Sequence, residues 1–190
     1  MLATQTREMP NPPTSDPIRE LIAVGKHREA IGRCARDYGA SVGRLCMAML
    51  GNQDEAQEVA QESFLAAYQG LASFRGEGSL RSWLYGIARR QCARRLERGP
   101  RRHLELVDET HAGTDNPQAT LRQGRRAEDL YRLLSDLKPS ERDALVLRFA
   151  GDLSFREVGD ILKITEATAR KRTSRALMRL RTTLRPEDVE

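Results

Sequence analysis

Between Arg170 and Arg185 the chain carries seven basic residues and no acid. Guanidinium forks bind phosphate oxygens in pairs and ammonium groups attract them as point charges, so such a run suits a polyphosphate backbone. The stretch before it supplies a way to aim those cations. Ser154 and Glu157 have the spacing of a capping box, which starts a helix. Val158, Ile161 and Leu162 give that helix an inner face, residues 163–165 form a turn, and Thr165 caps the next helix. Ala169, Thr173, Ala176, Leu177 and Leu180 then fall on one stripe. Two helices joined by so short a turn, with small residues where they cross, form a helix-turn-helix, whose second helix enters the major groove. Thr168, Arg170, Lys171, Ser174 and Arg175 lie off the stripe and are the candidate duplex-contacting residues, bases near the helix start and phosphates at its flanks.

A second basic cluster spans 88–102, seven arginines against one glutamate. It follows Trp83, Tyr85 and a glycine-rich loop, 73–79, that contains Phe74 and Arg75. Cations and aromatics beside a loop suit the unstacked bases of a melted strand. Trp83 itself falls on an apolar stripe with Leu84, Ile87, Ala88, Cys92 and Leu96 and is read as core. Asp54, Glu55, Glu58 and Glu62, with Gln57 and Gln61, form an acidic helix start that DNA would repel. That stretch suits a basic or polar protein surface, or serves only to complement its own helix dipole.

The rest of the sequence narrows the class. Charged residues make up 31% and aromatics 5% of 190 residues, which favours small helical units with a lean aliphatic core over a large sheet. The net charge of +5 points to a polyanionic partner. Cys34, Cys46 and Cys92 are too few and too far apart for a disulfide framework or a zinc knuckle, and read as small buried thiols. His27, His103 and His111 have no ligand spacing. No residue set suits nucleophilic or metal catalysis, so neither an enzyme, a cofactor nor a metal is expected. No apolar run approaches the ~20 residues of a membrane span, and the first residues lack a signal-peptide core. A soluble, cytoplasmic protein is expected, with no membrane insertion.

The elements that must position these residues are all helical. Residues 1–16 are polar and proline-rich and read as a disordered tail; Asp16 and Pro17 then start a helix. Helices are expected near 17–24, 26–37 and 40–50, punctuated by Gly25, Gly39 and Gly51. Ala56, Val59, Ala60, Phe64 and Ala67 give 52–71 an apolar face, and Ser79 caps a helix over 80–98. Residues 99–126 carry mixed charge, Pro and Gly with weak periodicity and read as a linker. A second unit, 127–185, follows, with Leu130, Leu133, Leu134 and Leu137, then Ala144, Leu145, Leu147 and Phe149, as its apolar set. Residues 186–190 are a tail. The expected fold is all-α: two small helical domains, 17–98 and 127–185, joined by a flexible linker.

In this order the pieces resemble a group IV (extracytoplasmic-function) sigma factor of the sigma-70 family. "DEAQEVAQESFLAAYQGLASFRGEGSLRSWLYGIARRQCARRLER" is similar to sigma region 2, and "LSDLKPSERDALVLRFAGDLSFREVGDILKITEATARKRTSRALMRLR" to sigma region 4. The resemblance implies that Asp54, Glu55, Glu58, Gln61 and Glu62 dock on the β′ clamp helices of core RNA polymerase. It implies that Phe74, Arg75, Arg81, Tyr85, Arg89 and Arg90 recognise and open a −10 element of promoter DNA. Thr168, Arg170, Lys171, Arg172, Ser174 and Arg175 would grip a −35 element, with the β flap as a second polymerase contact and the linker 99–126 threading toward the cleft. An anti-sigma factor is implied as regulator. The family pattern has Asp where Glu58 stands, Asn at Arg90 and Asp at Arg94, so −10 base preferences are not carried over. Gly159, Lys163 and Ala169 stand where Ala, Gly and Val are usual, which is expected to loosen the helix crossing. Two other readings fit parts of the chain: a stand-alone helix-turn-helix regulator, which leaves 52–98 idle, and a decoy for an anti-sigma factor, which leaves the arginines of 170–185 idle.

Overall fold

The computed structural model describes residues 17–74, 76, 78–98 and 129–183, and every regular element among them is helical. The expected tails 1–16 and 186–190, the linker 99–126, the cap at Asp16 and the loop residue Arg75 lie outside the described residues.

Helix α1 (Pro17–Ala23) opens on proline, whose missing N–H costs nothing at a first helical position. The chain then turns at Gly25, φ +76°, into α2 (His27–Leu50). The expected break at Gly39 does not exist: α2 is one helix of 24 residues. Ala30, Cys34, Val42, Leu45, Cys46 and Met49 form one buried stripe that runs past Gly39. An interior glycine costs about 1 kcal/mol relative to alanine, too little to interrupt a stripe of that length. Helix α2 ends at Gly51, where φ is +71° and the ring of Tyr131 lies so close that a Cβ would sit 2.4 Å from it.

Asn52 caps α3 (Gln53–Gly70) by accepting the Glu55 N–H, and a 3-10 turn follows at Leu71–Ser73. Ser79 caps α4 (Leu80–Glu97) through the Ser82 N–H, as its sequence position predicts. The stripe expected for α4 is too narrow. Leu80, Ser82, Leu84, Tyr85, Gly86, Ile87, Ala88, Cys92 and Arg95 are all buried. A helix buried nearly all round must be covered on more than one side, and α4 packs on α2 and α3 on one side and on a C-terminal helix on the other. Trp83 is only half-buried, its ring 5.1 Å from that of Phe74.

The C-terminal elements are α5 (129–135), α6 (Pro139–Phe149), α7 (Phe155–Leu162) and α8 (Glu166–Thr183). It is α7 that lies on α4, and α6 touches α2, so the buried side chains of both halves form one contiguous cluster. Three of the expected core residues, Leu130, Phe149 and Leu177, are exposed. On α8 the buried series is 169, 173 and 176, with Leu180 half-buried; Leu177, one step of about 100° on from 176, falls at its edge. The three cysteines are free and buried. Neighbouring Cys46, and then burial, push the Cys92 thiol up, so Cys92 packs as a neutral thiol.

Candidate nucleic-acid interface

The turn between α7 and α8 is built as its sequence predicts. Ser154 Oγ accepts the Glu157 N–H at 3.2 Å and Glu157 Oε2 accepts the Ser154 N–H at 2.8 Å. Thr165 Oγ1 accepts the Thr168 N–H at 3.2 Å and starts α8. The expected loosening at Gly159 is overturned. A Cβ there would sit 2.7 Å from the Ile164 carbonyl oxygen, so the bare glycine is what lets the turn fold back over α7. Ala169 is fully buried at the crossing. Lys163 closes α7 at φ 55°, a left-handed conformation that costs a side-chain-bearing residue roughly 1 kcal/mol.

Helix α8 turns its cations outward. Arg170, Lys171, Ser174 and Arg175 are exposed, and Thr168 and Arg172 are half-buried. Thr168 also serves the cap, its hydroxyl 2.8 Å from that of Thr165. Arg170 bonds Glu166 at 2.7 Å and sits 4.5 Å over the Phe155 ring, which aims its guanidinium while its side chain remains 62% exposed. Farther along, Arg179 Nε lies 3.0 Å from Glu141 Oε2 and ties α8 to α6.

Helix α4 does the opposite. Arg81 Nη2 donates to the carbonyls of Gly151 and Asp152 at 3.1 and 2.6 Å. Arg89 Nε and Nη2 donate to Asp143 Oδ2 at 2.9 and 2.5 Å, across to α6, where Asp143 is buried. Tyr85 is 0% exposed, with Gly151 packed on its ring, and its hydroxyl has no hydrogen-bond partner among the described residues. Tyr85, expected to meet a melted strand, is covered by the C-terminal half in this arrangement. Of the residues expected to meet a −10 element, Arg90 is exposed, Phe74 lies half-buried against Trp83, and Arg81 and Arg89 are turned to the other half.

On α3, Asp54, Gln61 and Glu62 are exposed and Glu55 and Glu58 half-buried. The sequence reading missed the group that organises them. Arg95 of α4, its side chain 6% exposed, donates from Nη1 to Glu58 Oε2 at 2.9 Å and from Nη2 to Glu62 Oε1 at 3.5 Å. The Glu58 bond holds Arg95 protonated against the opposing effect of burial. Its signal was present: Ala88, Cys92 and Arg95 stand at i, i+4 and i+7, on the helix's inner stripe. An open, mostly apolar groove runs between α2 and α3, lined by Ile31, Ala35, Phe64, Leu65 and Tyr68 with Arg28 at its side. Among the described residues, no group of three or more His, Cys, Asp or Glu is placed to hold a metal, and no helix is long and apolar enough to cross a membrane.

Comparison with known proteins covers both halves. Residues 34–102 match the family description of sigma-70 region 2 and residues 133–182 that of sigma-70 region 4. The chain is 30% identical to RNA polymerase sigma factor YlaC of Bacillus subtilis over 141 residues, 72% of this chain and 82% of YlaC. It is 29% identical to the ECF RNA polymerase sigma factor SigW of the same organism over 161 residues, 78% of this chain and 85% of SigW. In fold it resembles CnrH, solved in complex with the cytosolic domain of CnrY, with a TM-score of 0.69 and 22% identity over 89% of this chain and 97% of that one.

Proposed function

The chain belongs to the extracytoplasmic-function branch of the sigma-70 family, and from that premise we propose how its surfaces divide the work of starting transcription. Core RNA polymerase supplies the chemistry; this chain supplies the address. Helix α8 enters the major groove of a −35 element, where Arg170, Lys171, Arg172 and Arg175, with Thr168 and Ser174, grip phosphates and base edges. The observation that carries this is the capped turn that projects α8 with Arg170, Lys171 and Arg175 exposed along one edge.

Helix α3 is the polymerase-docking element. Asp54, Glu55, Glu58, Gln61 and Glu62 meet the β′ clamp helices, and the apolar groove between α2 and α3 adds contact area. Helix α4 and the loop before it, with Phe74, Arg75, Arg81, Tyr85, Arg89 and Arg90, meet the −10 element. The linker 99–126 joins domains 17–98 and 127–185, so each raises the effective concentration of the other on one promoter.

The arrangement described here is closed with respect to that last task. Arg81, Tyr85 and Arg89 face α6, α7 and the turn between them, so engagement of a melted strand requires the halves to part. A partner that clasps the closed form would act as an anti-sigma factor, and CnrH, whose fold this chain shares, is solved with a second chain bound. Work with polymerase and promoter places the protein in the cytoplasm.

The test is transcription with purified core polymerase on a library of random promoters. RNA starting at defined sites that share −35 and −10 sequences is the expected result. Binding of −35 duplex with no initiation would instead support a stand-alone regulator.

A further inference from the structure

Arg95 is the most buried arginine side chain of α4 for which an ion pair is seen, and it belongs to neither DNA-facing surface. It crosses from α4 to α3 and meets two carboxylates four residues apart on one helix face. Such like-charged neighbours repel each other and, left alone, spread over many rotamers. A planar guanidinium with two donors on separate nitrogens fixes both at once, which an ammonium cannot do in the same plane. The carboxylates keep 42% and 45% of their side-chain surface exposed. They are therefore held from behind and presented in front, with one net negative charge left on the trio.

We propose that Arg95 is a positioning residue for polymerase docking: from α4 it holds Glu58 and Glu62 in the rotamers that meet the basic surface of the partner. The proposal rests on the docking role assigned to α3 above. Side chains ordered before binding need not be ordered during it, so the gain appears as slower dissociation. The same bond joins the docking helix to the helix that follows the −10 loop, so seating α3 on the polymerase fixes the orientation of α4 as well.

A double-mutant cycle on the full chain tests this. Arg95→Met keeps a long apolar stem and removes the fork. It is expected to raise the Kd for core polymerase about 10-fold, through faster dissociation. In a Glu58→Gln, Glu62→Gln background the same replacement is expected to change the Kd by less than about 2-fold, because the groups it positions are gone. Arg95→Lys, which retains the charge, is expected to fall between. Affinity for a −35 duplex serves as the control for folding. A loss of equal size in both backgrounds, or no loss in the wild-type background, would overturn the proposal; if Arg95→Met loses duplex binding, the Lys variant carries the same comparison. Absence of polymerase binding by the wild-type chain is a different result, which overturns the docking role itself.

Discussion

Helices α4 and α8 are equal in length, 18 residues each, and both are rich in arginine. They use it in opposite ways. Helix α8 is covered on one side by α6 and α7, so Arg170, Lys171 and Arg175 point into solvent. Helix α4 is covered on two sides, and Arg81, Arg89 and Arg95 each donate to an acceptor on another element. The same residue type mostly faces solvent on α8, with Arg179 on Glu141 the exception, and mostly cross-braces on α4. What decides is how many neighbours the helix has, a property of topology and not of local composition.

The strongest way to break this contrast is to attack a brace from its far end. Asp143 is buried and its carboxylate pairs with Arg89 across from α6 to α4. Asp143→Arg sets two cations against each other at a part-buried contact, Arg89 keeping 30% of its side-chain surface exposed, so the cost lies at or below the low end of that for a fully buried pair. Disrupting a fully buried pair costs about 3–5 kcal/mol, and a cost near its low end is still more than a contact between two halves of one chain readily absorbs. The expected outcome is separation of the halves, seen as faster hydrogen exchange along α4 and a longer fluorescence distance between them, with −35 duplex affinity unchanged. Unaltered exchange along α4 would mean that Arg89 is not a brace.

The second test attacks α8. Replacing Arg170 and Lys171 together by Ala should weaken −35 duplex binding by about 2 kcal/mol, roughly 30-fold, and flatten its salt dependence by one to two phosphate contacts. Hydrogen exchange along α4 and the distance between the halves should not move. If the double replacement opens the protein instead, α8 is bracing and the contrast between the helices collapses.

How far the sequence foretold this follows from the same contrast. The features of α7 and α8 are local: a capping box, a turn and a stripe with a period of 3.6 residues, each contained within a dozen residues. They are legible in the sequence down to the individual caps at Ser154 and Thr165. Two local details were misjudged because their reason is three-dimensional. Gly159 reads as lost packing in the sequence, whereas the carbonyl of Ile164 stands above it, and Leu177 sits one helical step off the buried edge. In the N-terminal half Gly39 carries a residue-level break signal, but the continuity of α2 is set by the surface it covers. The pairings Arg89–Asp143 and Arg95–Glu58 join residues 54 and 37 positions apart, and nothing in a single sequence reports such a pairing. The cover on Tyr85 likewise comes from the distant half of the chain, so its burial is not legible locally.

The smallest expected effect sharpens the contrast at a single atom. Both helices bury hydroxyls: Thr173 on α8, and Ser82 and Tyr85 on α4. On α8, Thr173 donates to the carbonyl of Ala169 at 3.0 Å, so its polar atom is satisfied within its own helix. On α4, the hydroxyl of Tyr85, whose ring Gly151 packs against, is buried without a partner among the described residues. A stranded buried hydroxyl costs about 1–3 kcal/mol, and parting of the halves would return it to water. Tyr85→Phe removes the stranded atom and keeps the ring. It should therefore stabilise the closed arrangement by about 1 kcal/mol, raising Tm by about 2–4 °C and slowing exchange along α4. Thr173→Val should bring no such gain. A lower Tm for Tyr85→Phe would show that the hydroxyl is satisfied in the closed form, and that α4 is held there without the opposing strain that makes it ready to open.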